Sequence, residues 1–237
     1  MSKHCIIRLS GKSFDTYLIY KMVWSALPYN TKAILPADAF AVYRSGNSYH
    51  TLPSDGILNP KKMGLFAGNE IDPNEYTLYL ISKSSAEGFW GGRFMYDDPA
   101  TGGVSEPISV RISFRYAVES PRRFLECGDF SYIRTHSETR AEDIAATIRE
   151  KLNENDILSS KICDALHEKG ISDMQKDMSA LSTEIENGLN DKIFIGTGLH
   201  ISGLTIEAEE SDLHIKIRNN LKWHEYISES SDKHNIG

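Results

Sequence analysis

The clearest alternation of apolar and polar positions lies between residues 108 and 118. Every second residue there is apolar or aromatic, and Ser or Arg fills most of the positions between them. A period of two is the period of a β-strand that buries one face, so this segment predicts a strand. Pro121 then predicts the first turn of a short helix, where its missing N–H removes no hydrogen bond. The apolar positions are Ile108, Val110, Ile112, Phe114, Tyr116 and Val118.

Three earlier segments also carry strand patterns. Residues 76–82 are rich in residues favoured on pleated surfaces and predict a buried strand. Residues 32–50 predict a hairpin, because the Ser-Gly-Asn sequence at 45–47 tolerates the positive φ of a tight turn. The apolar and aromatic run at 17–24 fits a strand packed on the core better than an interfacial membrane anchor, because no basic cluster accompanies it.

Glycine and aromatic residues are concentrated between residues 89 and 103. The pattern predicts a loop that joins short strands, and within it Trp90 offers a flat ring for stacking on a bound group. We expect this loop to be the binding site if the protein is a ligand- or protein-binding module. Asp97 and Asp98 are explained by a turn before Pro99 more simply than by acid–base chemistry or cation binding.

Helical periodicity dominates the second half of the chain. Residues 138–152 predict an amphipathic helix with Ser137 as its N-cap. A second helix is predicted at 156–169, with Gly170 as its stop, and a third at 174–189. The apolar stripe of the third helix has the alternating spacing of a short coiled-coil seam. This stripe, the first candidate for an interface, consists of Met174, Met178, Leu181 and Ile185; an edge strand within residues 32–43 is the second candidate.

Strand character returns between residues 199 and 206. The apolar positions change parity at Gly203, which predicts a strand whose register shifts at a glycine bulge. Residues 212–226 mix strand-like and helical spacing and fit either structure. Residues 228–237 are polar and are predicted to form a disordered tail.

Composition and charge narrow the class of protein. A net charge of −7 on 237 residues argues against a large phosphate-binding footprint, so we expect no nucleic-acid partner. Cys5, Cys127 and Cys163 are far apart and form no Cys-x-x-Cys pair, which favours neither a disulfide framework nor a structural zinc site. A reducing, cytoplasmic compartment is the simplest interpretation. No window approaches the roughly 20 apolar residues of a membrane span, so we expect any membrane contact to be peripheral or through a partner.

The sequence offers little for catalysis. It contains neither a Gly-x-Ser-x-Gly nor a His-Glu-x-x-His motif. Cys163 and His167 are four residues apart on a predicted helix, but two ligands do not make a metal site, and packing explains the cysteine more simply. We therefore expect no catalytic residues, no cofactor and no metal.

The order of these segments resembles the SPFH domain of the band 7 superfamily, which includes stomatin, prohibitin and flotillin. Within that family it is most similar to a bacterial branch of virion-core-like or zinc-ribbon SPFH proteins. The strand that leads into Ser120-Pro121-x-x-Phe-Leu resembles the family pattern in which Asp precedes the proline. The other matching segments are the hairpin at 37–46, the strand at 76–82 with the Phe-Trp-Gly step at 89–91, the helices over 158–189 and the strand at 197–206. The zinc ribbon of the relatives has no counterpart here, because no Cys-x-x-Cys pair occurs.

The resemblance implies an α+β, SPFH-like fold, with antiparallel or mixed strands in the N-terminal half and amphipathic helices and a late strand in the C-terminal half. We expect residues 1–31 to be an extension packed on a single domain at 32–227, followed by the tail at 228–237. The family implies a non-enzymatic scaffold that forms a homo-oligomer and docks a membrane or a membrane-bound partner peripherally. A binding module that uses Trp90 is the alternative, and an enzyme is the third hypothesis.

Overall fold

The computed structural model describes residues 6–8, 17–23, 32–52, 56–58, 76–98 and 104–234. The chain divides into two compact units. The first unit comprises Met1–Gly88, Arg115–Lys151 and Asn190–Ser202, and the second unit comprises Phe89–Phe114, Leu152–Leu189 and Gly203–Gly237.

Strands precede most of the helices along the chain. The strands are β1 (Ile6–Arg8), β2 (Tyr17–Val23), β3 (Lys32–Leu35), β4 (Ala39–Ser45), β5 (Ser48–Leu52), β6 (Gly56–Leu58), β7 (Tyr76–Ser82), β8 (Ala86–Asp98), β9 (Val104–Val118), β10 (Glu138–Arg140) and β11 (Leu199–Glu209). The α-helices are α1 (Pro121–Glu126), α2 (Ala141–Glu154), α3 (Asp156–Lys176), α4 (Met178–Gly188) and α5 (Asp212–His234), and a 3₁₀ segment spans Gly128–Arg134 and a π-helical turn Leu189–Ile193. The predicted α+β class with a late strand is confirmed.

A five-stranded sheet in the first unit has the order β10-β2-β7-β4-β5. Its central strand β7 pairs antiparallel with β2 and with β4, and its residues 77–82 are all buried. The strand predicted at 76–82 is confirmed. β2 likewise confirms the strand prediction for residues 17–23, because Leu18 and Ile19 are buried in the same sheet.

The hairpin prediction is confirmed for β4 and β5, which pair antiparallel across Gly46 and Asn47. Gly46 has a φ of 55°, a left-handed conformation that glycine adopts without the steric cost of a Cβ. The expectation that residues 32–43 form an edge strand is wrong. β4 lies between β7 and β5, and β3 lies between β1 and β6, so both strands are paired on both sides.

A three-stranded sheet has the order β11-β9-β8. The alternation predicted for β9 is confirmed, because the six apolar positions from Ile108 to Val118 are buried. In β11, Leu199 and Ile201 are buried before Gly203, and Leu204 and Ile206 are buried after it. Gly203 has a φ of 61°. The predicted shift of the buried face at this glycine is therefore confirmed.

The loop predicted at 89–103 is wrong for residues 89–98, which belong to β8; residues 99–103 lie outside the described residues. The glycines that suggested a loop interrupt a strand alternation, because Trp90, Phe94 and Tyr96 are buried on one face. A Cβ at Gly92 would lie 2.6 Å from the Trp90 ring. Glycine at this position therefore makes room for the indole and does not mark a turn.

Helix boundaries differ from the predicted ones at three places. α2 begins at Ala141 and not after Ser137, because residues 138–140 pair with β2 and Asp143 Oδ2 accepts the Arg140 backbone N–H at 2.9 Å, as in half of a capping box. α3 continues through Gly170 to Lys176; the burial of Met174 one turn later outweighs the roughly 1 kcal/mol that glycine costs in a helix.

The third difference is at the end of the chain. Residues 212–234 form one helix, α5, so the ambiguous segment at 212–226 is helical and the helix extends into the segment for which the sequence predicts a disordered tail. Among the described residues, no helix combines the length and the apolar character that crossing a membrane requires.

Gly198 holds the start of β11 against the start of α1 within the first unit. Its carbonyl oxygen accepts the backbone N–H of Glu119 at 3.0 Å and of Ser120 at 3.1 Å. A Cβ on Gly198 would overlap the Ser120 carbonyl oxygen and lie 2.7 Å from the Phe124 backbone nitrogen. Since these atoms are backbone, they cannot move aside by a change of rotamer.

We predict that Gly198→Ala destabilises the protein by about 3 kcal/mol or more, because steric overlap adds to the cost of a left-handed residue with a Cβ. Gly196→Ala is the matched control: Gly196 has nearly the same φ, 78° against 79°, and a Cβ there meets nothing within 4 Å. It should cost only about 1–2 kcal/mol. Urea unfolding of both variants measures the difference, and equal costs would contradict the steric argument.

Candidate functional site

The apolar stripe predicted as an interface is divided between two helices of the second unit. Met174 belongs to α3, and the other three residues belong to α4, because the backbone leaves helical geometry at Asp177, with φ −98° and ψ 12°. Met174 and Ile185 are buried, and Met178 and Leu181 are partly buried. Met174 and Ile185 therefore belong to the core, and an Asp substituted for Ile185 would bury a carboxylate.

A cavity of about 270 Å³ lies between α3 and α4. Its walls carry more acidic than basic side chains, and Lys161 is ion-paired with Glu184 across it. Among the residues described by the structure, no group of three His, Cys, Asp or Glu comes together as a metal site would require. The lining residues are Lys161, Asp164, Ala165, Glu168, Met174, Asp177, Ala180, Leu181 and Glu184.

A second cavity, of about 540 Å³, lies between α4 and the second half of β11. Glu186 on α4 closes part of it, because its Oε2 accepts the Leu204 backbone N–H at 3.0 Å. Ser182 is buried in the wall, and Met178 contributes the thioether side chain at the rim.

In the first unit, the side chain of Asn190 forms hydrogen bonds with both backbone groups of Ile201, at 2.8 and 2.9 Å.

Trp90, the residue predicted to stack on a ligand, is buried in β8 with 5% of its surface exposed. Its ring packs at 6.2 Å from the ring of Phe94, and its Nε1–H donates to Asn153 Oδ1 at 2.7 Å. An indole can stack on a bound group only if at least one of its faces is accessible. The structure therefore gives Trp90 a place in the core of the second unit and corrects the prediction of a binding loop.

We predict that Trp90→Ala lowers the free energy of unfolding by about 3–5 kcal/mol, the usual cost of deleting a buried aromatic side chain. Phe89→Ala is the control, because Phe89 is the neighbour on the opposite face and 55% of it is exposed; it should cost about 1 kcal/mol or less. Denaturant unfolding followed by circular dichroism measures both. A Trp90→Ala protein as stable as the wild type would restore the exposed-loop hypothesis.

The two cysteines among the described residues are partly buried. Burial raises the pKa of Cys163 on α3, and burial also raises the pKa of Cys127. Asp129 lies 3.4 Å from the Cys127 sulfur and forms an ion pair with Lys151 at 2.6 Å. The hydrogen bond from Lys151 lowers the Asp129 pKa, so the carboxylate stays charged and accepts the cation.

The most exposed apolar side chains of the second unit include three on α5. Trp223 is 63% exposed, Leu213 is 55% exposed and Ile215 is 38% exposed. At 100° per residue, Ile215 lies roughly opposite Leu213 around the helix axis, and Trp223 lies roughly 80° from each of them. None of the side chains described between 212 and 224 is fully buried. This part of α5 therefore presents apolar groups to solvent on more than one face. We define the α5 surface by Leu213 and Trp223, the two most exposed of them.

One ion pair holds the N-terminal part of α5 on its own unit. Arg218 Nη1 donates to Glu210 Oε1 at 2.7 Å, and the two side chains are only 19% and 8% exposed. Such a shielded pair has a fixed geometry, because breaking it would leave a charge away from water. The helix is thus anchored at Arg218, while Leu213 and Trp223 stay exposed.

The α5 surface was not among the sequence predictions. The mixed spacing of apolar residues at 212–226 left the choice between strand and helix open, and without that choice no face is defined. The signal that was present is the number of apolar side chains, Leu213, Ile215, Ile217, Leu221 and Trp223, which exceeds what one buried stripe of a short segment uses.

No protein-family model matches this chain, and no curated protein matches it either.

Proposed function

We propose that this protein is a non-enzymatic, self-associating scaffold and that the α5 surface joins two copies. The supporting observation is the exposure of Leu213 and Trp223, which lie roughly 80° apart around one helix. Water-exposed apolar area gains about 25 cal/mol per Å² when it is covered, and aromatic side chains contribute most at interfaces. A helix of 23 residues is roughly 35 Å long, which gives room for several turns of contact.

The charge pattern of α5 favours a second copy of this chain as the partner. The amino-acid sequence of the helix is basic up to residue 224, with Lys216 and Lys222 against Asp212, since Glu210 already neutralises Arg218. It is acidic from residue 225, where Glu225, Glu229 and Asp232 stand against Lys233. Two copies of such a helix complement each other when they run antiparallel, and charge complementarity of this kind sets orientation.

The resemblance to SPFH proteins supports the same function, and we propose that the chain is an SPFH-like protein. That family scaffolds complexes and membranes, and the order of a strand, a short proline-led helix, longer helices and a late strand is common to both. Peripheral docking on a membrane or a membrane-bound partner from the cytoplasmic side belongs to this proposal.

We predict that the double variant Leu213→Glu/Trp223→Glu is a monomer of 26.6 kDa under conditions in which the wild type is a dimer or larger. Two carboxylates on the contact surface repel each other in an antiparallel pair and cannot be desolvated cheaply. Light scattering after size-exclusion chromatography, over a series of protein concentrations, measures the molar mass. Circular dichroism checks that the helix content is kept.

The matched control is Met95→Glu/Ile195→Glu. These residues are 63% and 71% exposed, so the control makes the same chemical change on equally exposed apolar side chains elsewhere and should keep the wild-type mass. A wild type that stays monomeric at every concentration, or a Leu213→Glu/Trp223→Glu protein that keeps the assembly, would overturn the proposed contact.

A further inference from the structure

One edge of β11 borders a cavity within the second unit. β11 is the outermost strand in the order β11-β9-β8, so among the described residues one of its edges has no neighbouring strand. The cavity of about 540 Å³ between α4 and β11 is lined on the strand side by residues 203–206. A volume of this size is typical of sites that hold a ligand.

The side-chain contacts that cover this edge end at Leu204. Glu186 on α4 accepts the Leu204 N–H at 3.0 Å, so this N–H points to α4 and away from β9. The N–H and C=O of one strand residue point to the same side, and the side alternates along the strand. Those of Ile206, two residues later, therefore point to the same open edge. Outside the sheet itself, no described segment bonds them.

The wall that α4 contributes carries a hydroxyl that the protein itself leaves unused. Ser182 lines the cavity and is only 8% exposed. No described residue bonds its hydroxyl, yet the oxygen is not sealed from solvent, so it faces the cavity. A side chain buried to this degree usually has a hydrogen-bond partner, and a polar group held in the cavity would supply one.

The charge of the cavity is negative. Of the described residues that line it, only Glu186 is charged. One carboxylate oxygen of Glu186 holds the Leu204 N–H, and no described cation pairs with the carboxylate. Past the cavity, β11 continues with the exposed Glu207 and Glu209. Charge complementarity therefore favours a partner that carries a positive group.

We propose that this cavity binds an extended peptide segment of a partner protein, which adds a strand to β11 at Ile206 and places a Lys or Arg side chain beside Glu186. A peptide backbone offers the N–H and C=O groups that an open strand edge pairs with. Its polar groups also reach the Ser182 hydroxyl on the opposite wall. Because α4 flanks the edge, the cavity has room for one short segment and not for the sheet of a second copy.

The test uses a fluorescein-labelled peptide, Gly-Ser-Thr-Val-Lys-Val-Thr-Ser-Gly, whose centre combines residues that favour an extended chain with one cation. Fluorescence anisotropy follows its titration with the full protein, and we expect saturable binding. A second peptide is N-methylated at the Lys and at the following Val, which blocks both edges of the extended backbone. It should bind about tenfold more weakly, because backbone hydrogen bonds to Ile206 are lost.

The variant Glu186→Gln tests the charge, since the amide oxygen can still accept the Leu204 N–H. We expect about fivefold weaker binding of the Lys peptide, because a charged hydrogen bond becomes a neutral one. A peptide with Gln in place of Lys should bind both proteins equally. Glu184→Gln is the matched control, since Glu184 lies on the same helix but pairs with Lys161 at the other cavity; it should bind like the wild type.

The N-methylated peptide and the two glutamate variants decide the proposal together. Weaker binding of the methylated peptide supports strand addition, and weaker binding by Glu186→Gln but not by Glu184→Gln supports this cavity as its place. The proposal is overturned if the unmodified peptide shows no saturable binding, if methylation changes nothing, or if Glu186→Gln binds like the wild type. Displacement of the peptide by equimolar spermidine would also overturn it, because a small amine would then suffice. None of these outcomes depends on whether α5 joins two copies.

Discussion

The amide side chain of Asn190 donates to the carbonyl of Ile201 and accepts the N–H of the same residue, so one side chain replaces a neighbouring strand. The rest of the structure depends on the constraint that this contact satisfies: backbone and side-chain polar groups withdrawn from water must be hydrogen-bonded. Glu186 does the same for the Leu204 N–H. These two contacts allow β11 to be the last strand of its sheet without presenting those backbone groups to another chain.

Under the same constraint, a buried polar group without a hydrogen bond is an exception that requires an explanation. Two buried side chains illustrate the rule. The Tyr116 hydroxyl donates to the Ala141 carbonyl, and the Trp90 indole donates to Asn153. The hydroxyls of Tyr49 and Tyr79 are exceptions by hydrogen-bond geometry, although Arg44 lies close enough to act against the rise that burial causes in the pKa of Tyr79. The α5 surface is the converse case, because its apolar side chains are exposed to water and would be stabilised by burial.

Local patterns predicted the strands whose two faces differ. β9 and β7 were predicted because burial acts on every second residue, and Gly203 was predicted because the change of parity is visible in four neighbouring positions. β8 was missed since Gly91 and Gly92 mask the alternation of Trp90, Phe94 and Tyr96, and the reason for Gly92 is a contact with the Trp90 ring. Gly170 misled in the same way, because the burial of Met174 one turn later decides the helix.

The candidate sites were harder to predict than the elements that carry them. A stripe such as Met178 and Leu181 has the same spacing whether it faces its own core or a partner, so the sequence could not separate these cases. The pairing of Arg44 with Tyr49, and of Lys21 with Tyr79, depends on strand register. These are contacts between segments that are distant along the chain, and no local motif records them.

The two cysteines among the described residues lack the surroundings of a nucleophile. A nucleophilic cysteine needs a lowered thiol pKa, usually from a nearby cation or a helix N-terminus. Burial does the opposite at Cys127 and Cys163, and Lys151, a cation that lowers the pKa of Cys127, is ion-paired with Asp129. Burial also raises the pKa of Tyr116, which fixes that hydroxyl as a donor to α2. These three groups are thus held in their neutral forms, while the α5 surface is left exposed for a contact with a second copy of the chain.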